Sequence, residues 1–316
     1  LPFRDNDNGT ESGGDTESDS DSDNGSTVVY TVRIPREARP LEKGEDVLVR
    51  EMLEELKRVD SFVSRCNHDV AHQITCMVRK YKTAYAGNGQ WTQFDVNEMP
   101  EIIAGGVTQN GKTMIKAVGI WAAWRLGAGH ADATKIATIL LSTGVQGTSS
   151  LCSKLTRAFS QFPSNLRPPI VFAGSAPCSN LEHRNNLRNC VAEGGCIVVN
   201  DTAARVQHAI SAVSEARGWA QGKWPQVQIF MDEADAFYRN APGSYIKLEL
   251  AVRELHARTR PILRMSVSAT LIPVFLHLKE KKNGVDVNSI IYTCPGEEYN
   301  GVQDFRRKQR RLLEPC

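Results

Sequence analysis

A glycine-rich stretch, GGVTQNGKT at residues 105–113, ends in a lysine followed by a hydroxyl side chain. This spacing is typical of a phosphate-binding loop, in which backbone N–H groups surround phosphate oxygens, the lysine neutralises the β- and γ-phosphates and the hydroxyl ligates Mg²⁺. We therefore predict a nucleotide-binding loop here. Its predicted residues are Gly106, Thr108, Gln109, Asn110, Gly111, Lys112 and Thr113.

An acidic pair, Asp232 and Glu233, follows the apolar run VQIFM at residues 227–231. In an open α/β sheet ligands bind at the carboxyl ends of strands, so a strand here would deliver both carboxylates to such a site. Asp232 is suited to hold Mg²⁺, directly or through water, and Glu233 is suited to polarise an attacking water. We predict that Lys112 and Glu233 are catalytic, and that Thr113 and Asp232 bind the metal ion.

A cluster of soft ligands lies earlier in the chain, in CNHDVAHQITC at residues 66–76. On a helix His68, His72 and Cys76 would share one face, with Cys66 close to its start. These residue types bind zinc, but their spacing does not match the usual zinc modules, and one helix face rarely supplies a closed tetrahedral site. A partly buried helix is the favoured interpretation, and a zinc site is the alternative.

Seven short apolar runs occur beyond residue 100, and helical patterns separate nearly all of them. The runs are continuous rather than alternating, as expected for strands that are covered on both faces. Strands that alternate with helices predict βαβ units. We therefore predict an α/β fold with a mostly parallel sheet flanked by helices. The runs are EIIAGGV, IATILLST, PPIVFAGS, GCIVVND, VQIFMDE, ILRMSVSAT and SIIYTC.

The region before the sheet divides into two segments. Residues 1–27 hold eight acidic residues, one arginine and almost no core-forming residues, so they should form a disordered tail. Apolar residues then recur at helical spacing over residues 45–63 and about 69–85. The predicted domains are an acidic tail (1–27), a helical accessory segment (28–95), the sheet domain (96–295) and a basic C-terminal tail (296–316).

Composition and charge narrow the class of protein. The chain has 41% hydrophobic and 23% charged residues, which is ordinary for a soluble globular protein. The tail has a formal net charge of −7, and because the whole chain carries +2, the other residues carry +9, which suits a polyanionic partner. Eight cysteines without a CxxC pair and without a secretion signal predict reduced thiols. We expect an intracellular protein, in the nucleus or the cytoplasm, without a membrane partner.

The acidic pair belongs to a longer motif, DEAD at residues 232–235, and SAT follows it at residues 268–270. Together with the loop GVTQNGKT at residues 106–113, these motifs resemble those of the superfamily 2 helicases, in particular the DEAD-box proteins. The resemblance covers roughly residues 100–295. It implies that the chain contains the N-terminal RecA-like ATP-binding domain of such a helicase, with a P-loop beside its sheet. The resemblance also implies that this domain couples the binding and hydrolysis of Mg²⁺-ATP to the binding or remodelling of RNA or DNA.

Two further segments fall where this family has motifs that contact nucleic acid. They are LLSTG at residues 140–144 and IVVNDTAARVQHAI at residues 197–210. The resemblance also implies that the hydroxyls of the SAT motif connect the nucleotide state to the nucleic-acid grip through hydrogen bonds to the acidic motif. The implied coupling residues are Ser268, Ala269 and Thr270. The implied nucleic-acid contacts are Thr143, Thr202 and Arg205.

The chain departs from the family in several respects. The proline and glycine of the family's TPGR segment are absent, and Gln90 and Gln93 lack the usual surroundings of its adenine-reading glutamine. The family uses a second RecA-like domain that supplies arginines to the ATP. Only 46 residues follow Thr270, whereas a domain has about 150. We therefore expect a divergent chain that lacks the second RecA-like domain and hydrolyses ATP weakly on its own.

Three functional hypotheses remain open. The leading one is a helicase-like ATPase core that forms half of a two-domain motor, with a second RecA-like domain or subunit as partner. The alternatives are a non-catalytic nucleotide-binding scaffold and a motor subunit that works with a nuclease. The basic run FRRKQRR at residues 305–311 is compatible with a localisation signal, a nucleic-acid patch or a solvated helix.

Overall fold

The predicted tails, residues 1–27 and 296–316, lie outside the part of the chain that the computed structural model describes. The described residues belong to one unit, Pro35–Cys316. They are 43–86, 90–92, 94, 98–106, 111–129, 135–174, 180–219, 224–238, 245–271, 273–275 and 286–293.

Helices open the described chain, where the apolar spacing predicts them. The side chain of Asp69 caps one of these helices, because its Oδ1 accepts a hydrogen bond from the backbone N–H of His72 at 2.9 Å. A short antiparallel hairpin follows. The elements are α1 (Lys43–Lys57), α2 (Asp60–Val63), α3 (Val70–Ala84), β1 (Tyr85–Ala86) and β2 (Gln90–Trp91).

Strands and helices then alternate, and each of the seven apolar runs contains a strand. The strands are β3 (Glu101–Gly105), β4 (Ile136–Ser142), β5 (Ile170–Ala173), β6 (Cys196–Asn200), β7 (Gln226–Asp232), β8 (Leu263–Ser268) and β9 (Ile290–Tyr292). The helices are α4 (Lys112–Gly129), α5 (Val145–Phe159), α6 (Leu181–Ala192), α7 (Ala203–Trp219), α8 (Ala234–Tyr238) and α9 (Tyr245–Thr259). Short 3₁₀ turns lie at Ser164–Leu166 and Val287–Ser289.

The seven strands form one sheet in the order β5-β6-β4-β7-β8-β3-β9, and every neighbouring pair is parallel. The predicted fold class, an α/β protein with a parallel sheet flanked by helices, is confirmed. Because all strands point the same way, the residues that follow them emerge at one edge of the sheet, where ligands bind in such folds.

Each face of the sheet has its own core. On β3, Ile102 packs on the face covered by α1 to α5, and its neighbour Ile103 packs on the face covered by α6, α7 and α9. This alternation of adjacent residues is the period-two pattern of a strand, here with both faces buried. Within the described helices, none combines the length and the apolarity needed to cross a membrane.

Hydrogen bonds connect helix α3 to the sheet domain. Nε2 of Gln73 donates a hydrogen bond to the carbonyl oxygen of Ile115 in α4 at 2.8 Å. The Tyr81 hydroxyl donates to the Gln228 side chain of β7 within the core. The described part of the accessory segment therefore packs on the same layer as α4 and shares one apolar core with it.

Candidate functional site

Three neighbouring strands, β7, β8 and β3, carry predicted site residues at their carboxyl ends. In the parallel register Gly105 of β3 lies beside Ser268 of β8, and Asp232 of β7 lies beside Val267 of β8. The sheet therefore brings the acidic pair, the SAT motif and the glycine-rich stretch to one edge.

The last glycine of the stretch precedes helix α4. Gly111 has a φ of +77°, a backbone conformation that residues with a side chain rarely adopt. Its carbonyl oxygen accepts a hydrogen bond from the backbone N–H of Met114 at 2.8 Å. Lys112 is the first residue of α4, at the helix end that carries partial positive charge, and the half-buried Thr113 is next. Three further residues predicted for this loop, Thr108, Gln109 and Asn110, lie outside the described residues.

Gly106 has a packing role in addition to its place in the loop pattern. A Cβ atom at this position would lie 1.6 Å from Oγ1 of Thr293, far closer than any contact permits. The backbone N–H of Thr293 donates a hydrogen bond to the carbonyl oxygen of Gly105 at 2.9 Å. The end of β3 is thus held against the end of β9, and only glycine fits between them.

Two lysines of α4 face the two carboxylates at the end of β7. Nζ of Lys112 lies 3.3 Å from Oε1 of Glu233, and Lys112 is only 9% exposed. Nζ of Lys116, one helical turn later, donates a hydrogen bond to Oδ1 of Asp232. We refer to Lys112, Lys116, Asp232 and Glu233 as the charged quartet. The structure thus brings the lysine of the loop together with the acidic pair.

Lys116 was not identified from the sequence. It is 3% exposed, and burial lowers its pKa, although the nearby charge of Asp232 opposes that shift. Oγ of Ser142, at the end of β4, donates to the other oxygen of Asp232 at 3.4 Å. Its position in the sequence is the feature that could have identified it. Lys116 lies four residues after Lys112, on the same helix face, within the apolar segment MIKAVGIWAAW.

The two carboxylates differ in exposure. The Glu233 side chain is 43% exposed, whereas that of Asp232 is 13% exposed. Glu233 also has a φ of +51°, which is costly for a residue with a side chain and is found most often at functional sites. Glu233 can therefore contact a solvent water, while Asp232 is held inside by Lys116 and Ser142.

The SAT motif contacts the acidic motif directly. Oγ of the fully buried Ser268 donates a hydrogen bond to Oδ1 of Asp235, which is itself buried. The backbone N–H of Thr270 donates to Oγ of Ser268 at 3.0 Å. Ala269 is half-buried and Thr270 is exposed. The structure therefore places a hydrogen bond between these two motifs at Ser268.

Two of the predicted nucleic-acid contacts follow the ends of β4 and β6. Ser142 of β4 and Asn200 of β6 are partners in the parallel register, and the backbone N–H of Asp201 donates to the carbonyl oxygen of Ser142 at 3.0 Å. Thr143 is half-buried and Thr202 is exposed. Since β4 also pairs with β7, both threonines lie at the same edge of the sheet as the charged quartet.

The third predicted contact, Arg205, lies in the first turn of α7 and is half-buried. Its Nη1 lies 3.4 Å from Nδ1 of His208. The pKa of His208 is lowered by burial first, and then by the positive charge of Arg205 and by His183. These surroundings therefore favour the neutral form of His208.

The histidine and cysteine side chains at residues 66–76, the alternative zinc site, form hydrogen bonds with other groups of the protein. Nε2 of His68 lies 2.6 Å from Oε1 of Gln73, and Sγ of Cys76 donates to the carbonyl oxygen of Asn288 at 3.0 Å. Burial raises the pKa of Cys76 to about 12, which disfavours the thiolate that metal binding requires. Over the described ranges, no three His, Cys, Asp or Glu side chains are arranged to hold a metal ion.

No protein-family model matches the sequence, and no curated protein matches it. Among solved structures, the chain is similar to the yeast DEAD-box splicing factor Prp28, with 12% identity, a TM-score of 0.40 and coverage of 69% of this chain and 50% of that one. It is similar to the DEAD-box helicase Mss116 bound to ssRNA and UDP-BeF, with 16% identity, a TM-score of 0.44 and coverage of 72% and 44%.

A second Mss116p structure, bound to ssRNA and AMP-PNP, matches with 14% identity, a TM-score of 0.42 and coverage of 67% of this chain and 41% of that one. The chain therefore spans half or less of the length of each of these structures. The matched structures come from the DEAD-box helicases, the family that the motifs of this sequence resemble.

Proposed function

We propose that the chain binds ATP with Mg²⁺ where α4 begins, and that it hydrolyses the ATP in a reaction coupled to RNA or DNA. The observation that carries this proposal is the charged quartet, in which Lys112 and the acidic pair meet beside Gly111 at the ligand-binding edge of the sheet. A glycine with positive φ, a lysine and two carboxylates at one edge are among the groups that bind the phosphates, the metal ion and the attacking water in nucleotide hydrolysis.

Lys112 is placed to receive phosphate oxygens. Its ammonium lies 3.3 Å from the half-exposed carboxylate of Glu233, which is a long and therefore weak contact. A β- or γ-phosphate carries more negative charge than one carboxylate and would displace it. The N–H groups at the very start of a helix lack intrahelical acceptors, and those of Lys112 and Thr113 would add hydrogen bonds to the same oxygens.

The residues at this edge also fit Mg²⁺. This ion prefers oxygen ligands, and the site offers the carboxylate of Asp232 and the hydroxyls of Thr113 and Ser142. These residues would hold the ion that accompanies the nucleotide. When bound, Mg²⁺ supplies positive charge to the phosphate oxygens.

Glu233 is the candidate base. Its side chain reaches solvent, and it is the neighbour of Asp232 at the end of β7. When a phosphate replaces Glu233 as the partner of Lys112, the carboxylate of Glu233 becomes available to orient a water molecule and to accept a proton from that water. Lys112 would stabilise the charge that develops on the transferred phosphoryl group.

The coupling to nucleic acid is proposed through the neighbouring motifs. The hydrogen bond from Ser268 to Asp235 joins the SAT loop to the acidic motif, so a change at the phosphates has a physical route to β8. Thr143, Thr202 and Arg205 are the proposed backbone contacts at the same edge. A second RecA-like domain or subunit is the proposed source of a transition-state arginine.

The test is equilibrium binding of a fluorescent ATP analogue, together with steady-state turnover with and without single-stranded RNA or DNA. Lys112→Ala should weaken binding, and Glu233→Gln should bind nucleotide but lose turnover. Arg125→Met, at the far end of the same helix, is the matched control because it also removes one positive charge. A wild-type chain that binds no adenine nucleotide would overturn the proposal.

A non-catalytic nucleotide-binding scaffold is the second candidate. It is favoured by the pairing within the quartet, since each carboxylate already has a lysine partner. The two candidates differ at Glu233. Equal, near-background turnover in the wild type and in Glu233→Gln, with intact nucleotide binding and in the presence of nucleic acid, would support the scaffold.

A further inference from the structure

Lys116 is a buried charge that the proposed function does not require. Its side chain is 4% exposed, and its ammonium contacts Asp232, whose side chain is 13% exposed. Its neighbours in α4, Ile115 and Ala117, are fully buried apolar residues of the core. An apolar residue would fit this part of the helix without the desolvation that a lysine costs.

The buried Lys116–Asp232 pair is not explained by a contribution to the stability of the fold. Burying two charges costs desolvation that their attraction only partly returns, so apolar replacements of buried ion pairs are often neutral or stabilising. The position of the pair is more informative. Lys116 contacts Oδ1 and Ser142 contacts Oδ2, so both oxygens of the candidate metal-binding carboxylate have partners inside the protein.

Lys116 changes the net charge that a metal ion or a nucleotide meets at the charged quartet. With two lysines and two carboxylates its formal charge is zero, whereas without Lys116 it would be −1. A divalent cation at Asp232 would be repelled by the ammonium that already neutralises this carboxylate. Conversely, a nucleotide without a metal ion would meet one more positive charge than the loop lysine alone provides.

We propose that Lys116 is an internal counter-cation of Asp232 that competes with Mg²⁺ for this carboxylate, so that nucleotide binding at this site depends only weakly on Mg²⁺. The proposal rests on the proposed function, because it concerns the same site. Lys116 acts here through Asp232 and is a positioning residue. The competition with Mg²⁺ can also be measured without any nucleotide.

The first experiment measures the affinity of the full chain for a fluorescent ADP analogue, in EDTA and in millimolar free Mg²⁺. In the wild type the two affinities should differ by less than about threefold, because Lys116 already neutralises Asp232. In Lys116→Met the affinity in EDTA should fall, and the gain on adding Mg²⁺ should rise to about tenfold or more. Lys116→Arg keeps the charge and should behave like the wild type.

The second experiment uses Mg²⁺ alone and follows thermal unfolding. Mg²⁺ should raise the Tm of Lys116→Met but not that of the wild type, because only in the variant does Asp232 lack the ammonium that competes with the ion. The double variant Lys116→Met with Asp232→Asn removes both charges and should show no rise in Tm. Arg125→Met is the control for the loss of one positive charge from α4, and it should respond as the wild type does.

The outcomes separate the two proposals. A wild-type chain that binds nucleotide, but shows the same Mg²⁺ dependence as Lys116→Met in both experiments, would overturn the role of Lys116 and leave the proposed function standing. A wild-type chain that binds no nucleotide removes the proposed function. In that case, a rise in Tm with Mg²⁺ confined to Lys116→Met would still support the competition for Asp232, and its absence would overturn that too.

Discussion

The two ends of helix α4 each carry a largely buried ion pair, and the pairs differ in kind. At the N-terminal end Lys116 contacts Asp232 of the sheet, with side-chain exposures of 4% and 13%. At the C-terminal end Arg125 contacts Glu55 of α1, with exposures of 21% and 19%. The Lys116 pair is the more deeply buried of the two, but burial alone does not separate structural from functional charge, so the geometry of the contacts has to be compared.

The Arg125 pair is fixed by shape. Its Nε donates to both oxygens of Glu55, at 2.9 and 2.8 Å, and its Nη2 donates to Oε1 at 2.7 Å. A planar guanidinium that engages a carboxylate in this way is specific in direction and joins two helices. Among the described residues, those with a positive φ lie outside α1 and outside this end of α4.

The Lys116 pair is a contact between point charges. An ammonium has no preferred plane, so it can exchange one partner for another at small geometric cost. Lys112 and Glu233 form a second ion pair next to it. Glu233 and Gly111, the residue before Lys112, both have a positive φ. The comparison indicates that the bidentate pair holds the helices together and that the lysine pairs can rearrange around a ligand.

Removal of the buried carboxylate is the change with the largest expected effect on stability. Asp232→Asn leaves the ammonium of Lys116 buried without a counter-charge, which should lower the free energy of unfolding by about 3 kcal/mol. Urea denaturation followed by tryptophan fluorescence measures it. Lys116→Met in the same chain should restore most of the loss. An unchanged unfolding midpoint in Asp232→Asn would contradict the burial of this pair.

Removal of the loop lysine should act on the ligand rather than on the fold. Lys112→Ala deletes a charged hydrogen-bond donor to phosphate, and we expect the Kd for ATP to rise about 100-fold. Its partner Glu233 is half-exposed, so the free energy of unfolding should change little. Fluorescent-nucleotide titration and urea denaturation test the two statements together. A large loss of stability with unchanged affinity would assign Lys112 to the structural class instead.

The reverse pattern is expected at the other end of α4. Arg125→Met removes the bidentate contact and should lower the free energy of unfolding by about 2 kcal/mol, since the pair is partly buried. The Kd for ATP should stay within about twofold of the wild type, because the site lies at the opposite end of the helix. An effect on affinity comparable to that of Lys112→Ala would remove the distinction between the two ends.

Much of this architecture could be predicted from the sequence. Continuous apolar runs that alternate with helical patterns require a parallel sheet, and parallel strands must deliver their following residues to one edge. The proximity of Glu233 to Lys112, 121 positions apart in sequence, follows from that rule and from the motif spacing. Local patterns suffice here because each strand and helix is specified by its own residues.

Two contacts that depend on the detailed packing of distant segments could not be predicted. The exclusion of side chains at Gly106 depends on Thr293, which arrives with β9 at the edge of the sheet. Lys116 cannot be identified from the sequence for a related reason: a lysine on a helix usually lies in water, and only the packed structure shows that this helix face is covered. Both features depend on the packing of helices and strands, which no local pattern encodes.

The smallest effect is expected at the turn into α4. Gly111→Ala places a side chain at a φ of +77°, which should lower the free energy of unfolding by about 1 kcal/mol. The added Cβ would lie 3.4 Å from Cβ of Asn67, an ordinary contact, so backbone strain rather than a clash is the cause. Relief of that strain would turn the first N–H groups of α4 away from the phosphates, so affinity for ATP should also fall, although less than in Lys112→Ala. A variant with full stability and full affinity would show that this turn tolerates a side chain and does not shape the site.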